Sequence, residues 1–290
     1  MNKIVLVILA SISSFSLIAK ENVVTYSSNS QSSLARVAAD CTPSQAMTDL
    51  NINNVRTTIM GGGDMWWNLS DARYEIPKNS NKHSMFAGAL WIAGIDAGEQ
   101  LKAAAMTYRQ TGNDFWTGPL DENGDISSQT CEDYDKHFAI TRQEVDEFIA
   151  WYNDNSAYPD YTIPLSIANW PGNGIDGDYQ FLAPYYDNND DGEYNPSDGD
   201  YPRYDIDGNL DCNEDDLIYG DQTLYWVFND KGNIHSETGA DPIGLEIRAQ
   251  AFAFATNDEI NNMTFYNYKI INKATFQLND AYFGQWVDPD

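Results

Sequence analysis

The chain has 290 residues, with 44 Asp and Glu against 16 Lys and Arg, a formal net charge of −28. So large an acidic excess argues against nucleic acid or an anionic membrane as the partner, because phosphate recognition needs clustered Lys and Arg. Hydrophobic residues make up 42% and aromatics 13%, with 8 Trp and 18 Tyr, enough to build a packed core and to exclude an intrinsically disordered chain.

Met1 to Lys3 is a short basic start, and Ile4 to Ala19 is apolar or small throughout. That run is short of a membrane span of about 20 residues and fits a secretory signal cleaved near Ala19. The mature protein is then expected to be secreted, outside the cell or on its surface, with no membrane insertion. Residues 20–50 read as a flexible leader rich in Ser, Asn and Ala, and 51–290 as one β-rich domain. Export permits disulfides, and the cysteines are three: Cys41, Cys131 and Cys212. The preferred pair is Cys131–Cys212, because Cys41 falls in the leader.

From Asn54 onward the pattern is mostly β. Phe86–Ile95 is an apolar run that ends in the turn Asp96-Ala97-Gly98, and Leu101–Tyr108 follows as the second arm of a hairpin. Thr223–Asn229 is another strand. Ile243–Thr256 alternates with period 2: Ile243, Leu245, Ile247, Ala249, Ala251 and Ala253 share one face, and Glu246, Arg248 and Gln250 lie on the other, read as outward. Met263–Lys273 is its expected antiparallel neighbour. One helix interrupts the β pattern. Thr141 and Glu144 form a capping box, Ile140 and Val145 a hydrophobic staple, and Val145, Phe148, Ile149 and Tyr152 an apolar stripe. The helix is predicted over Arg142–Asn153. The fold class that follows is all-β, a β-sandwich-like domain with one short helix and an acidic insert. The sequence stops within Trp286-Val-Asp-Pro-Asp290, just after a β-like segment, which reads as the N-terminal part of a longer protein.

The charge is concentrated. Residues 176–221 carry 15 Asp and Glu and a single base, Arg203. Carboxylates packed so densely repel one another, so a compact insert needs cations or full solvation. Within it, Asp187, Asn189 and Asp191 place oxygens at positions 1, 3 and 5 of a calcium loop. Gly192 stands at the turn position, Glu193 at position 7 offers its carbonyl, and Asp198 closes at position 12. The closing Asp resembles the calcium loops of dockerin modules, and Gly199-Asp200-Tyr201-Pro202 forbids the exit helix of an EF-hand. A second metal site would draw on Asp205, Asp207, Asn209, Asp211 and Asp216, with Gly208 displaced from the turn position. Asp176-Gly177-Asp178 is a weaker third.

Other chemistry is set aside. His83, His137 and His235 have no zinc spacing, Gly61-Gly62-Gly63 is neither a P-loop nor a dinucleotide fingerprint, and no nucleophile elbow occurs. The eight tryptophans, Trp66, Trp67, Trp91, Trp116, Trp151, Trp170, Trp226 and Trp286, read first as core, with a sugar-stacking surface as the alternative.

Several stretches resemble a family. These are Asn54-Val-Arg56 with Gly62-Gly-Asp-Met-Trp-Trp67, Leu90-Trp-Ile-Ala-Gly-Ile-Asp96 and Gly112-Asn-Asp-Phe-Trp116. Trp226-Val-Phe-Asn-Asp-Lys-Gly-Asn233, Asp241-Pro-Ile-Gly-Leu-Glu246 and Phe283-Gly-Gln-Trp-Val-Asp288 complete the set. Together they resemble the N-terminal region of large secreted proteins of Bacteroidota that carry a C-terminal type IX secretion sorting domain. The resemblance implies the cell surface and assigns no catalytic residue. The expectation is a Ca²⁺-stabilised, non-enzymatic module for adhesion or an extracellular structural assembly, whose partners are other surface or extracellular proteins or glycans. The alternative is a carbohydrate-binding or carbohydrate-active protein, using a carboxylate pair.

Overall fold

The computed structural model describes residues 39–204 and 217–290. The signal segment and the second acidic site, Asp205 to Asp216 with Cys212, lie outside the described residues.

The first sheet is built by β1 (Met47–Leu50), β2 (Arg56–Met60), β3 (Asp64–Met65), β4 (Tyr74–Glu75), β5 (His83–Ile95) and β6 (Leu101–Ala104). The chain then forms β7 (Trp116–Thr117), α1 (Ser128–Asp133), β8 (Phe138–Thr141), α2 (Arg142–Asn153) and α3 (Leu165–Ala168). A short ribbon, β9 (Tyr185–Tyr186) with β10 (Tyr201–Pro202), precedes β11 (Gln222–Asn229), β12 (Leu245–Ala253), β13 (Phe265–Asn272) and β14 (Asn279–Pro289). β14 returns to the first sheet, whose order is β1-β2-β3-β5-β14, with β4 on β2 and β5 and β6 on β5. The second sheet runs β13-β12-β11-β7, with β8 also on β11.

The fold is all-β, and its two sheets pack face to face. The alternation that marks β12 in the sequence is what makes this possible. Leu245, Ile247, Ala249, Ala251 and Ala253 all point inward, together with Leu224, Trp226 and Phe228 of β11. They meet Ile59, Met65, Leu90, Ile92 and Ala104 of the first sheet. Burying each large apolar side chain stabilises the fold by roughly 1.5–3 kcal/mol. Gly88 in β5 has a packing reason: a Cβ there would come within 2.5 Å of the Trp66 ring.

A second core lies on the outer face of the second sheet. Tyr134, Ile140, Val145, Phe148, Ile167, Trp170, Leu182 and Tyr185 pack there against Tyr225 and Val227 of β11. α2 spans the predicted residues and carries the predicted capping box. The Thr141 side chain accepts from the Glu144 N–H, and the Glu144 side chain accepts from the Thr141 N–H.

Four expectations change. The leader is not loose to residue 50, because the fold begins at Cys41: its N–H donates to the Gly232 carbonyl, and β1 pairs with β2. Cys131 is bonded to Cys41, not to Cys212, with the Cα atoms 5.9 Å apart. Both half-cystines pack on Trp116 in a small buried cluster. The hairpin arm after β5 is shorter than expected, because Asp114 accepts the Ala105 N–H and draws the chain off the sheet. The outward face of β12 is not solvated, since the insert and the segment at Leu120 cover it. Glu246 is fully buried and accepts from the Leu120 N–H at 2.9 Å and from Arg248 Nε at 2.8 Å.

Candidate metal centre

The acidic loop is held by a strand on each side. β9 ends at Tyr186 and β10 begins at Tyr201, and the two pair antiparallel with Tyr201 opposite Tyr186. Residues 187–200 are therefore a loop closed at its base. Stacking of Tyr186 on Tyr201, with ring centroids 5.0 Å apart, reinforces that base. Asp190 and Gly192 adopt left-handed backbone, φ 58° and 80°, which turns the chain sharply within the loop.

The side chains of positions 1, 3 and 5 are organised by N–H groups of the loop itself. Asp187 accepts from the N–H groups of Asp191 at 3.2 Å and Gly192 at 2.8 Å. Asn189 Oδ1 accepts from the Asp191 N–H at 3.1 Å, and Asp191 Oδ1 accepts from the Glu193 N–H at 2.8 Å. Asn173 clamps the far side: its amide donates to the Gly192 carbonyl, and its oxygen accepts from the Tyr194 N–H. Glu193 lines a neighbouring cleft of about 760 Å³ together with Trp170, Asn173 and Tyr194.

The Asp198 carboxylate accepts from Asn195 Nδ2 at 2.6 Å, on an exposed turn of 3₁₀ helix (Pro196–Asp198). The carboxylate at the base is Asp200. It is fully buried, and its two oxygens accept from the N–H groups of Asn188 and Asn195, each at 2.8 Å. Burial pushes its carboxyl above the ordinary range, the two N–H groups oppose that, and the charges of Asp187 and Asp191 add to the rise. Among the described residues no cationic side chain pairs with it. The template of position 12 misses Asp200, which lies two residues further on; its sequence signal is its place directly before Tyr201-Pro202.

Among the described residues, no three Asp, Glu, His or Cys side chains converge on one point in the arrangement a metal ion requires. The donor chemistry is nonetheless that of a hard cation: carboxylate, amide and backbone oxygens, with no nitrogen or sulfur. Asp176 and Asp178 stand on exposed turns near Tyr134 rather than at this loop.

The three histidines lie apart from the oxygens of the acidic loop. His235 is buried between Ala103 and Asp230, 2.7 Å from each carbonyl. Burial among aromatics, Trp226 included, pushes His137 down to about 4. His83 lies beside Asp290 at 3.9 Å. Among the described residues no helix is long and apolar enough to cross a membrane. Comparison with protein families, with characterised proteins and with solved structures finds no match for the chain.

Proposed function

We propose that the chain is a secreted or cell-surface β module, stabilised by Ca²⁺ and non-enzymatic, that serves in adhesion or an extracellular structural assembly. The observation that carries the calcium reading is the buried Asp200 at the base of the loop, its carboxyl pushed up by burial and by the charges of Asp187 and Asp191, with no cationic partner among the described residues. The charges of Asp187 and Asp191 disfavour ionisation of Asp200, and a divalent cation reverses the sign of that interaction. Asp187, Asn189, Asp191 and the Glu193 carbonyl would hold the ion. Asp200 takes the closing role first assigned to Asp198. Such an ion supplies rigidity to the insert and no chemistry.

The affinity expected of an extracellular module is on the order of 10⁻⁴ to 10⁻³ M. At free calcium about 100 times Kd, binding stabilises the native state by about 2.7 kcal/mol. The melting temperature of calcium-loaded protein should fall in EDTA, and the double variant Asp187→Ala, Asp191→Ala should melt at one temperature in both buffers. Asp200→Asn should weaken the calcium response, whereas Asp198→Asn should leave it intact. The response should also shrink as pH falls. A carboxyl whose folded pKa lies above its unfolded one destabilises the fold above that range and ceases to do so once protonated, so the cation has most to offset near pH 7. An unchanged melt in EDTA, starting from protein shown to carry calcium, overturns the reading.

A further inference from the structure

Seven of the eight tryptophans are buried or half-buried; Trp91 is 41% exposed. It stands on the outer face of the first sheet. In the register there, Trp91 lies opposite Gly284, Ala93 opposite Tyr282 and Ala89 opposite Trp286. Opposed residues of an antiparallel pair share a face, so Trp91, Tyr282 and Trp286 lie together above a floor of Gly284, Ala93 and Ala103.

The rings are fixed in place. Trp91 Nε1–H donates to the Met106 carbonyl at 2.7 Å. Its plane is parallel to that of Trp286 within 3°, with centroids 6.5 Å apart. Tyr108 stands edge-on to Trp286 at 5.0 Å and donates its hydroxyl to Asp288. Gly284 leaves the space over its backbone open: a Cβ there would meet only the Trp91 Cβ, at 3.9 Å. Tyr282 is 74% exposed and carries its ring into solvent.

We propose that this face is a binding platform for a neutral polysaccharide, with pyranose rings laid against Trp91, Trp286 and Tyr282. The ligand class follows from shape and charge. The stacked Trp91 and Trp286 rings and the exposed Tyr282 ring present aromatic surface over a Gly/Ala floor, open to a sugar ring laid against it, whereas a protein anchor residue needs a pocket to fill. The polar groups at the rim, Asp288 and the Tyr282 hydroxyl, accept hydrogen bonds from hydroxyl groups. The strand Asn279–Pro289 contains no Lys or Arg, and the chain carries −28 overall, so an anionic glycan is repelled. The platform is on the opposite sheet from the acidic insert and does not rest on the calcium reading.

The test is affinity electrophoresis of the intact chain through gels containing xylan, mannan or mixed-linkage β-glucan, with polygalacturonate as the anionic control, together with pull-down on cellulose and chitin. At least one neutral polymer should retain the protein, in EDTA as in calcium, and polygalacturonate should not. Trp91→Ala and Tyr282→Ala should each weaken retention about tenfold. Tyr282 is exposed, so its variant should keep the wild-type melting temperature and secure the result if Trp91→Ala folds poorly. Retention by no neutral polymer, equal retention of the Tyr282 variant, or retention by polygalacturonate as well would overturn the proposal. So would a dimer in sedimentation that Tyr282→Ala dissolves, because the face would then be an interface between copies.

Discussion

Removal of the Cys41–Cys131 bond should be the largest single covalent perturbation of this fold. The bond joins residues 90 positions apart and so encloses β1 to β7, all of the first sheet except β14. In the chain-entropy account, a cross-link over that separation destabilises the denatured chain by about 4.6 kcal/mol. For a chain of this size each kcal/mol moves the melting temperature by roughly 2–4 °C, so the expected fall is roughly 9–18 °C. Cys41→Ser, Cys131→Ser and the double variant should lose the same stability within about 1 kcal/mol, because each opens the same loop. Reductant should lower the wild-type melt to the level of the variants and leave the variants unchanged. Alkylation without reductant, read by mass spectrometry, should leave Cys41 and Cys131 unlabelled. A loss below about 1.5 kcal/mol would refute the loop-closure argument. A further fall of Cys41→Ser in reductant would refute the pairing, since Cys131 would then have found Cys212.

Two further predictions rest on buried polar groups. Asp230 is fully buried and accepts from the N–H groups of Ile243, Gly244 and Leu245 at 2.5, 2.9 and 2.6 Å. Asp230→Ala strands all three donors and should cost roughly 3–6 kcal/mol in a urea titration, with Asp230→Asn recovering part of it. His137 ordinarily titrates near 6.5 but is held to about 4 by burial. Its contribution is therefore fully present above pH 6.5 and is lost as pH falls toward 4, where the unfolded chain takes up a proton that the fold refuses. That loss should reach up to about 3 kcal/mol. His137→Gln should flatten this limb of the pH–stability curve; an unchanged limb would show that carboxylates alone set it.

The parts of the fold that were legible in the sequence are those set by near neighbours. The Thr141–Glu144 box forms within one turn, so three residues suffice to predict it. β12 and β13 are joined by a short connection, and their pairing, Leu245 opposite Asn272 through Phe252 opposite Phe265, follows from adjacency and alternation. What the sequence hid depends on distant chain. Glu246 and Gln250 look like solvent-facing residues of a strand until the insert and the segment at Leu120 are laid over them, when Gln250 Nε2 donates to the Leu217 carbonyl. Cys41 looks unstructured because its partners, Gly232, Asn233 and Cys131, are all far along the chain. The loop shows both cases at once. Asp187, Asn189 and Asp191 are visible as a local ladder, whereas the burial of Asp200 depends on where β10 begins.

That layering decides how a calcium effect would be read. The insert is not an independent unit hung on a sandwich. Tyr225 and Val227 of β11 belong to the outer core, while Leu224, Trp226 and Phe228 of the same strand belong to the inner one. Polar ties run in parallel: Arg248 Nη1 donates to the Phe181 carbonyl at 2.7 Å, the Tyr225 hydroxyl donates to the Leu182 carbonyl, and Trp170 Nε1 donates to the Pro184 carbonyl at 3.0 Å. Lifting the insert away would expose Gln250 and the Tyr225 and Val227 side chains, so the two cores should melt together. Near-ultraviolet circular dichroism, which reports the buried Trp and Tyr, and the far-ultraviolet signal of the sheets should give coincident transitions in calcium and in EDTA. Calcium would move that single transition without splitting it. A separate early loss of the aromatic signal in EDTA would mean that β11 does not couple the layers, and the loop would then govern the insert alone.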